Sequence, residues 1–241
     1  MLRKSKGVVL NQIKYGDSSL ITHIYTENYG IQSFIIKGGK SKKQKAKYSF
    51  LQALFLIEIE SYYKPSRNIQ LAKEISPHYI YKTIPFNITK SAIVLFLCEI
   101  LLKTLKEEEK NIKLYNFLQS TLIHFDENQS NFSNFHLFFL VHLTKYLGFF
   151  PNTDSSGEQQ FFDIMEGCFT NYKPKHKYYL SGNSSELFFS ITKASINDYS
   201  KIIIKKKDKV FLLEKIIEYF SIHLEGFGTI KSLQVLNEVF S

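Results

Sequence analysis

A chain of 241 residues allows one large domain or two small ones at the usual ~100 to 200 residues per domain. With 44% hydrophobic and 22% charged residues, it is neither disordered nor fibrous, and its 15 Tyr and 22 Phe can anchor more than one packed cluster. The net charge of +9 is unevenly placed: residues 1–80 hold 13 Lys/Arg against 5 Asp/Glu and the remainder 18 against 17, an asymmetry that a lysine-rich codon bias would not produce and that points to a polyanionic partner.

From Gly7 to about Glu74 the pattern is short β-rich runs separated by turn residues. The runs are Gly7 to Lys14, Leu20 to Thr26, Ile31 to Lys37, Phe50 to Tyr62 and Ile69 to Lys73. Within Phe50 to Tyr62, Leu51, Ala53, Phe55, Ile57 and Ile59 alternate with more polar positions, as in a half-buried strand. Five strands in so short a stretch predict a small barrel.

After Ile84-Pro85 the period becomes helical. Ile88 to Lys106 is apolar on most sides, as a central buried helix would be. Its longest unbroken apolar run, Ala92 to Cys98, is far below the ~18 to 20 residues that span a bilayer. The charged run Glu107-Glu108-Glu109-Lys110 stops it. Leu114, Tyr115, Leu118, Leu122 and Phe125 form a narrower stripe, and a third helix, Phe135 to Leu147, should end at Gly148 with Pro151 soon after. Residues 149–183 are polar and aperiodic and should be loop-rich. Short helices follow from about Glu186 and Ile196. A long one carries Val210, Leu213, Ile217 and Phe220 on its face, and a last short one runs from Ser232 to Phe240. The expected fold is α+β: a small five-stranded barrel over residues 1–80, then an all-α helical domain over 81–241.

The sharpest local feature is Lys37-Gly38-Gly39-Lys40-Ser41-Lys42-Lys43-Gln44-Lys45-Ala46-Lys47, with six lysines and no acid between two predicted strands. Phosphates would relieve the self-repulsion of that loop, and the nearby Tyr15, Tyr29, Phe34 and Tyr48 offer rings for bases. Lys37, Lys40, Lys42, Lys43, Lys45 and Lys47 are therefore the principal candidates for nucleic-acid binding. Arg3, Lys4, Lys6, Lys64 and Arg67 are additions that require the barrel to bring them to the same side.

Gly39-Lys40-Ser41 imitates the end of a P-loop, but Phe34 stands where that loop needs glycine, and no helix follows. Gly226-Phe227-Gly228 reads as a helix stop. His136 and His142 lie six apart on different helix faces, no H-E-x-x-H is present, and no catalytic constellation emerges. No apolar segment resembles a secretory signal, so a cytoplasmic location is expected, without a membrane and with Cys98 and Cys168 as inert core thiols.

Gly7-Val8-Val9-Leu10, Tyr15-Gly16-Asp17-Ser18-Ser19, Thr26-Glu27, Gly30 and Lys37-Gly38 with its basic loop resemble the RecO family of bacterial recombination mediators. Leu147-Gly148-Phe149-Phe150-Pro151, His223-Leu224 and Lys231-Ser232-Leu233 extend the resemblance over nearly the whole chain. It implies an OB-fold, a helical domain, binding to single- and double-stranded DNA, annealing, and help in loading RecA onto DNA coated by single-strand-binding protein, with RecR as partner. A non-enzymatic chain, monomeric on its own and nucleoid-associated, is expected; a basic factor binding structured RNA is the alternative. Many relatives carry a four-cysteine zinc module, and the loop-rich stretch at about 149–183 replaces it here. Cys168 alone cannot make a closed tetrahedral site and His176 adds at most one ligand, so no metal is expected, with Phe161, Phe162 and Phe169 packing in its place. The acidic, hydrophobic tail of single-strand-binding protein is assigned to the helical domain, with Lys145 and Lys231 as candidate contacts.

Overall fold

The computed structural model describes residues 1–16, 18–37, 49–106, 109–129, 131–153 and 160–239, and these group into two compact units, Met1–Glu127 and Asn128–Ser241. The first opens with five strands: β1 (Leu2–Tyr15), β2 (Ser19–Thr26), β3 (Gly30–Lys37), β4 (Leu56–Tyr62) and β5 (Ile69–Pro77). They close into a barrel of order β1-β2-β3-β5-β4, consistent with an OB-fold, with only the β3–β5 pairing parallel.

Closure depends on β1, which pairs with β4 through its first half and with β2 through its second. A bulge between Val9 and Asn11 bends the strand between these partners. At Gly7 an added Cβ would stand 2.3 Å from Ile24 Cγ2, so only glycine lets β1 approach β2 there. The barrel core is Val9, Ile24, Phe34, Ile36, Leu51, Ile57, Ile59 and Ile75. Thr26 fixes the β2–β3 turn: its hydroxyl donates to the Gly30 carbonyl at 2.8 Å and accepts the Tyr29 N–H at 3.0 Å.

The predicted strand Phe50 to Tyr62 is corrected in its first half. Leu54 has φ +58°, its N–H reaches the Val9 carbonyl at 2.7 Å, and its carbonyl accepts the Tyr81 hydroxyl at 2.7 Å. Leu51 and Leu54, three apart, are both fully buried, a spacing that no alternating strand supplies.

Two helices complete this unit, α1 (Ile88–Thr104) and α2 (Ile112–Glu127). Asn87 caps α1 by accepting the Lys90 N–H at 3.1 Å. The stripe Leu114, Tyr115, Leu118, Leu122 and Phe125 is buried as expected. The change from strand to helix thus falls near residue 80, while the compact unit continues to Glu127.

The second unit holds α3 (Phe135–Leu147), α4 (Asn183–Lys193), α5 (Lys206–His223) and α6 (Ser232–Val239). Gly148, at φ +88°, ends α3 where its sequence predicts. This half is not all-α, contrary to expectation. Within the stretch expected to be loop, β6 (Phe161–Asp163), β7 (Cys168–Thr170) and β8 (Tyr179–Ser181) form a sheet of order β7-β6-β8. Strands of three residues are too short to show a period, which is why the sequence hides them. Phe162 packs at 4.8, 4.5 and 5.5 Å from the rings of Phe169, Phe188 and Tyr219. On α5 the buried residues are Leu212, Leu213, Ile216, Tyr219 and Phe220, so Val210 and Ile217 flank the face instead of centring it.

Among the described residues, no helix is long and apolar enough to cross a membrane.

Candidate nucleic-acid interface

At one mouth of the barrel, Arg3 projects from the start of β1 toward two tyrosines. Its guanidinium carbon lies 3.3 Å from the ring centroid of Tyr63 and 4.6 Å from that of Tyr29. Backbone pairing of Met1 with Tyr63 in both directions, at 2.8 and 3.2 Å, holds the two segments together. Aromatic faces take up the flat sides of a guanidinium and leave its edge donors for an acceptor such as a phosphate oxygen. Tyr63 leads directly into the β4–β5 connection, which carries Lys64 and Arg67, both exposed.

That connection is preorganised by Gln70, which is 3% exposed. Its amide accepts the Lys64 N–H at 2.9 Å and donates to the carbonyls of Lys64 and Arg67 at 3.2 and 2.6 Å. Arg3, Lys64 and Arg67 are therefore gathered at one end, with Tyr29 and Tyr63. The sequence offered Tyr29 only as a nearby aromatic, and it did not mark Tyr63 or Gln70 because their roles arise from the pairing of β1 with β4.

Lys4 and Lys6 are placed differently. They stand opposite Glu60 and Glu58 on the outer face of the β1–β4 pair, and the Lys4 ammonium is 2.9 Å from Glu58. The Glu58 hydrogen bond and charge raise the Lys4 pKa above its ordinary value, and the same hydrogen bond holds Glu58 below the usual carboxylate range. Glu74 lines the same surface, so Lys4 faces acids and is not part of a basic patch. Lys4 and Lys6 are therefore not among the cations beside Arg3, and Lys37, at the far end of β3, is not among them either.

Lys37 ends β3 and is exposed, roughly 23 Å of extended chain from Gly30 at the other end of that strand. It lines a groove of about 530 Å³ with Tyr62, Leu71 and Lys73. Lys40, Lys42, Lys43, Lys45 and Lys47 lie outside the described residues. Between the two ends, the pairing register aligns Ile13, Ile21, Ile35, Leu71, Tyr62 and Leu2 in one row around the outside of the barrel. Ile13, Tyr62 and Leu2 remain 51, 47 and 44% exposed, and Tyr15, two residues beyond Ile13 on β1, is 53% exposed. Unpaired bases present apolar faces that can rest on such a row, whereas a duplex presents phosphates outward.

In the second unit, Lys145 is exposed in the last turn of α3 and Lys231 is exposed just before α6. Cys168 stands at the start of β7, beside side chains already engaged with one another. Asp163, its cross-strand neighbour, spends one oxygen on the N–H groups of Met165 and Glu166 and pairs the other with His176 Nε2 at 3.1 Å. Among the described residues no three His, Cys, Asp or Glu side chains converge as metal ligands. The thiol of Cys98 donates to the carbonyl of the bulged Leu10 at 2.9 Å, and burial pushes its pKa up to about 12.

The family model described as Recombination protein O N terminal matches residues 1–81, and that described as Recombination protein O C terminal matches residues 85–234. Curated relatives named DNA repair protein RecO, from Phocaeicola vulgatus and Bacteroides fragilis, are each 34% identical over 241 residues, with 100% of both chains covered. The protein of that name from Flavobacterium psychrophilum is 35% identical over 239 residues, covering 99% of each chain.

Proposed function

Because the chain belongs to the RecO family of DNA repair proteins, we propose that it is a non-enzymatic mediator that anneals complementary strands in the cytoplasm, at the nucleoid. It helps to load RecA onto single strands coated by single-strand-binding protein, with RecR as partner. The observation that carries this reading is the barrel mouth, where Arg3 lies against Tyr29 and Tyr63 beside Lys64 and Arg67. Cations there screen phosphate repulsion, and the exposed row from Ile13 to Leu2 receives bases without pairing to them, so the bases stay free to find a complement. The lysines from Lys40 to Lys47 are taken as further phosphate contacts on the strength of their charge in the sequence. No metal takes part, and the aromatic packing of Phe162 and Phe169 closes the small sheet instead. The tail of single-strand-binding protein docks on the second unit, with Lys145 and Lys231 as its carboxylate contacts.

Fluorescence anisotropy with competing single-stranded DNA, duplex DNA and structured RNA tests the reading, together with an annealing assay on complementary oligonucleotides. Preferred binding of DNA and faster annealing are expected. Preference for structured RNA, or no acceleration, would refute it.

A further inference from the structure

Near-neutrality over the second half of the chain conceals a local exception. The connection from β7 to β8 reads Asn171-Tyr172-Lys173-Pro174-Lys175-His176-Lys177-Tyr178, with three lysines and no acid. Lys173, Lys175 and Lys177 are all exposed, and among the described residues none of them is ion-paired. Tyr172 is 84% exposed. Two of the lysines lie near rings, Lys173 at 5.8 Å from the Tyr179 centroid and Lys177 at 5.4 Å from that of Tyr178.

This segment is tied down along its length. The Tyr172 N–H donates to Thr170 Oγ1 at 3.1 Å, and the Tyr178 N–H donates to His176 Nδ1 at 3.3 Å. His176 Nε2 is held by Asp163, which is only 8% exposed, and the Tyr178 carbonyl accepts the Ile164 N–H at 3.0 Å. Pro174 restricts the backbone further. Uncompensated like charges on a pinned backbone repel one another unless a polyanion neutralises them, and an exposed ring among cations is the composition that single strands bind. A solvated lysine loop would need neither the anchoring nor the ring.

We propose that the β7–β8 connection is a second nucleic-acid contact, with phosphates on Lys173, Lys175 and Lys177 and a base on Tyr172, holding one strand while the barrel holds the other. The proposal rests on the barrel being a strand-binding surface, and it supplies what annealing requires: two strands bound by one chain.

The test uses the full chain carrying K173A, K175A and K177A together, and separately Y172A. A first labelled oligonucleotide is bound to saturation, and a second, non-complementary one is then titrated. The triple variant should bind the first strand within about twofold of the unsubstituted chain, while its affinity for the second falls at least tenfold and annealing slows. Y172A should weaken the second strand about five- to tenfold, within the range of a lost stacking contact. The triple Lys→Arg variant, which keeps the charge, should restore ternary binding. Unchanged ternary binding and annealing would overturn the proposal, as would equal weakening of both strands. Loss of poly-glutamate binding with both strands retained would assign the patch to an acidic protein segment and likewise overturn it. Uptake of one strand but no second strand by the unsubstituted chain would overturn this site and leave DNA binding by the barrel standing, whereas no DNA binding at all would overturn both.

Discussion

Asp126, near the end of α2, takes the Thr83 N–H on its carboxylate at 2.8 Å and the Thr83 hydroxyl on its own carbonyl. The same carboxylate accepts the N–H groups of Lys82 and Ile84 at 2.8 and 2.9 Å, while Lys90 donates from α1 to the Phe125 and Asp126 carbonyls at 2.7 and 3.0 Å. The segment leaving the barrel is thereby fastened to the helices, and cutting the chain near Thr83 would sever that network. A buried acid and a buried lysine are tolerated because every lone pair and proton has a taker.

Asp126→Asn should destabilise the protein by about 3 kcal/mol, in the range for removing one member of a buried charged network. Burial alone would raise the Asp126 pKa, but the N–H groups of Lys82, Ile84 and Thr83 outweigh it and leave the value below the ordinary one. A carboxyl whose folded pKa is depressed contributes stability above its unfolded value of about 3.9 and loses it as pH falls through the folded value. Urea denaturation at pH 7 and acid titration should show both effects, with the variant lacking part of the acid limb. An unfolding midpoint equal to that of the unsubstituted chain would contradict the fastening role.

Replacing Lys40, Lys42, Lys43 and Lys45 with Ala should lower the slope of log K against log salt by about 3 for single-stranded DNA, at ~0.7 per phosphate contact. Lys4→Ala should leave that slope nearly unchanged, because Glu58 already pairs with Lys4. Equal slopes for the quadruple variant and the unsubstituted chain would exclude the loop from the DNA contact.

Chelator should leave the melting temperature unchanged, and elemental analysis should find no stoichiometric zinc. A structural zinc contributes so much folding free energy that stripping it could not pass unnoticed. One zinc per chain would show that Cys168 has ligands other than the Asp163 and His176 pair.

Legibility in the sequence follows the range of the forces involved. Helix α3 was readable to its ends because apolar spacing and the Gly148 stop are local signals. The strand expected from Phe50 failed at Leu54, whose left-handed backbone is imposed by Val9 and Tyr81 from distant parts of the chain. Arg3, Lys64 and Arg67 were legible only as separate charges, and their grouping with Tyr29 and Tyr63 became visible only through strand pairing. The acids opposite Lys4 and Lys6 also belong to β4 and could not be placed without the register. Lys173, Lys175 and Lys177 were missed because whole-domain arithmetic averages a local run against acids elsewhere.

His136 provides a separate test of the helical unit. It is fully buried on α3, where burial, with the Lys209 charge adding to it, pushes its pKa down to about 3. The folded protein therefore keeps this ring neutral, while the unfolded chain protonates it below about pH 6.5. More protons bind to the unfolded state between those values, so stability must fall as pH drops, by up to about 1.4 kcal/mol per pH unit for one such group. Burial also lowers His142 and His124, which adds to the same trend. Urea denaturation from pH 7 to pH 5 should show declining stability, and His136→Gln should remove close to one proton from the slope. Should that variant fold too weakly to measure, the His136 ring resonances of the unsubstituted protein, followed by NMR down to pH 4.5, should not titrate. A midpoint near 6.5 for that ring would show that it is not held neutral in the core.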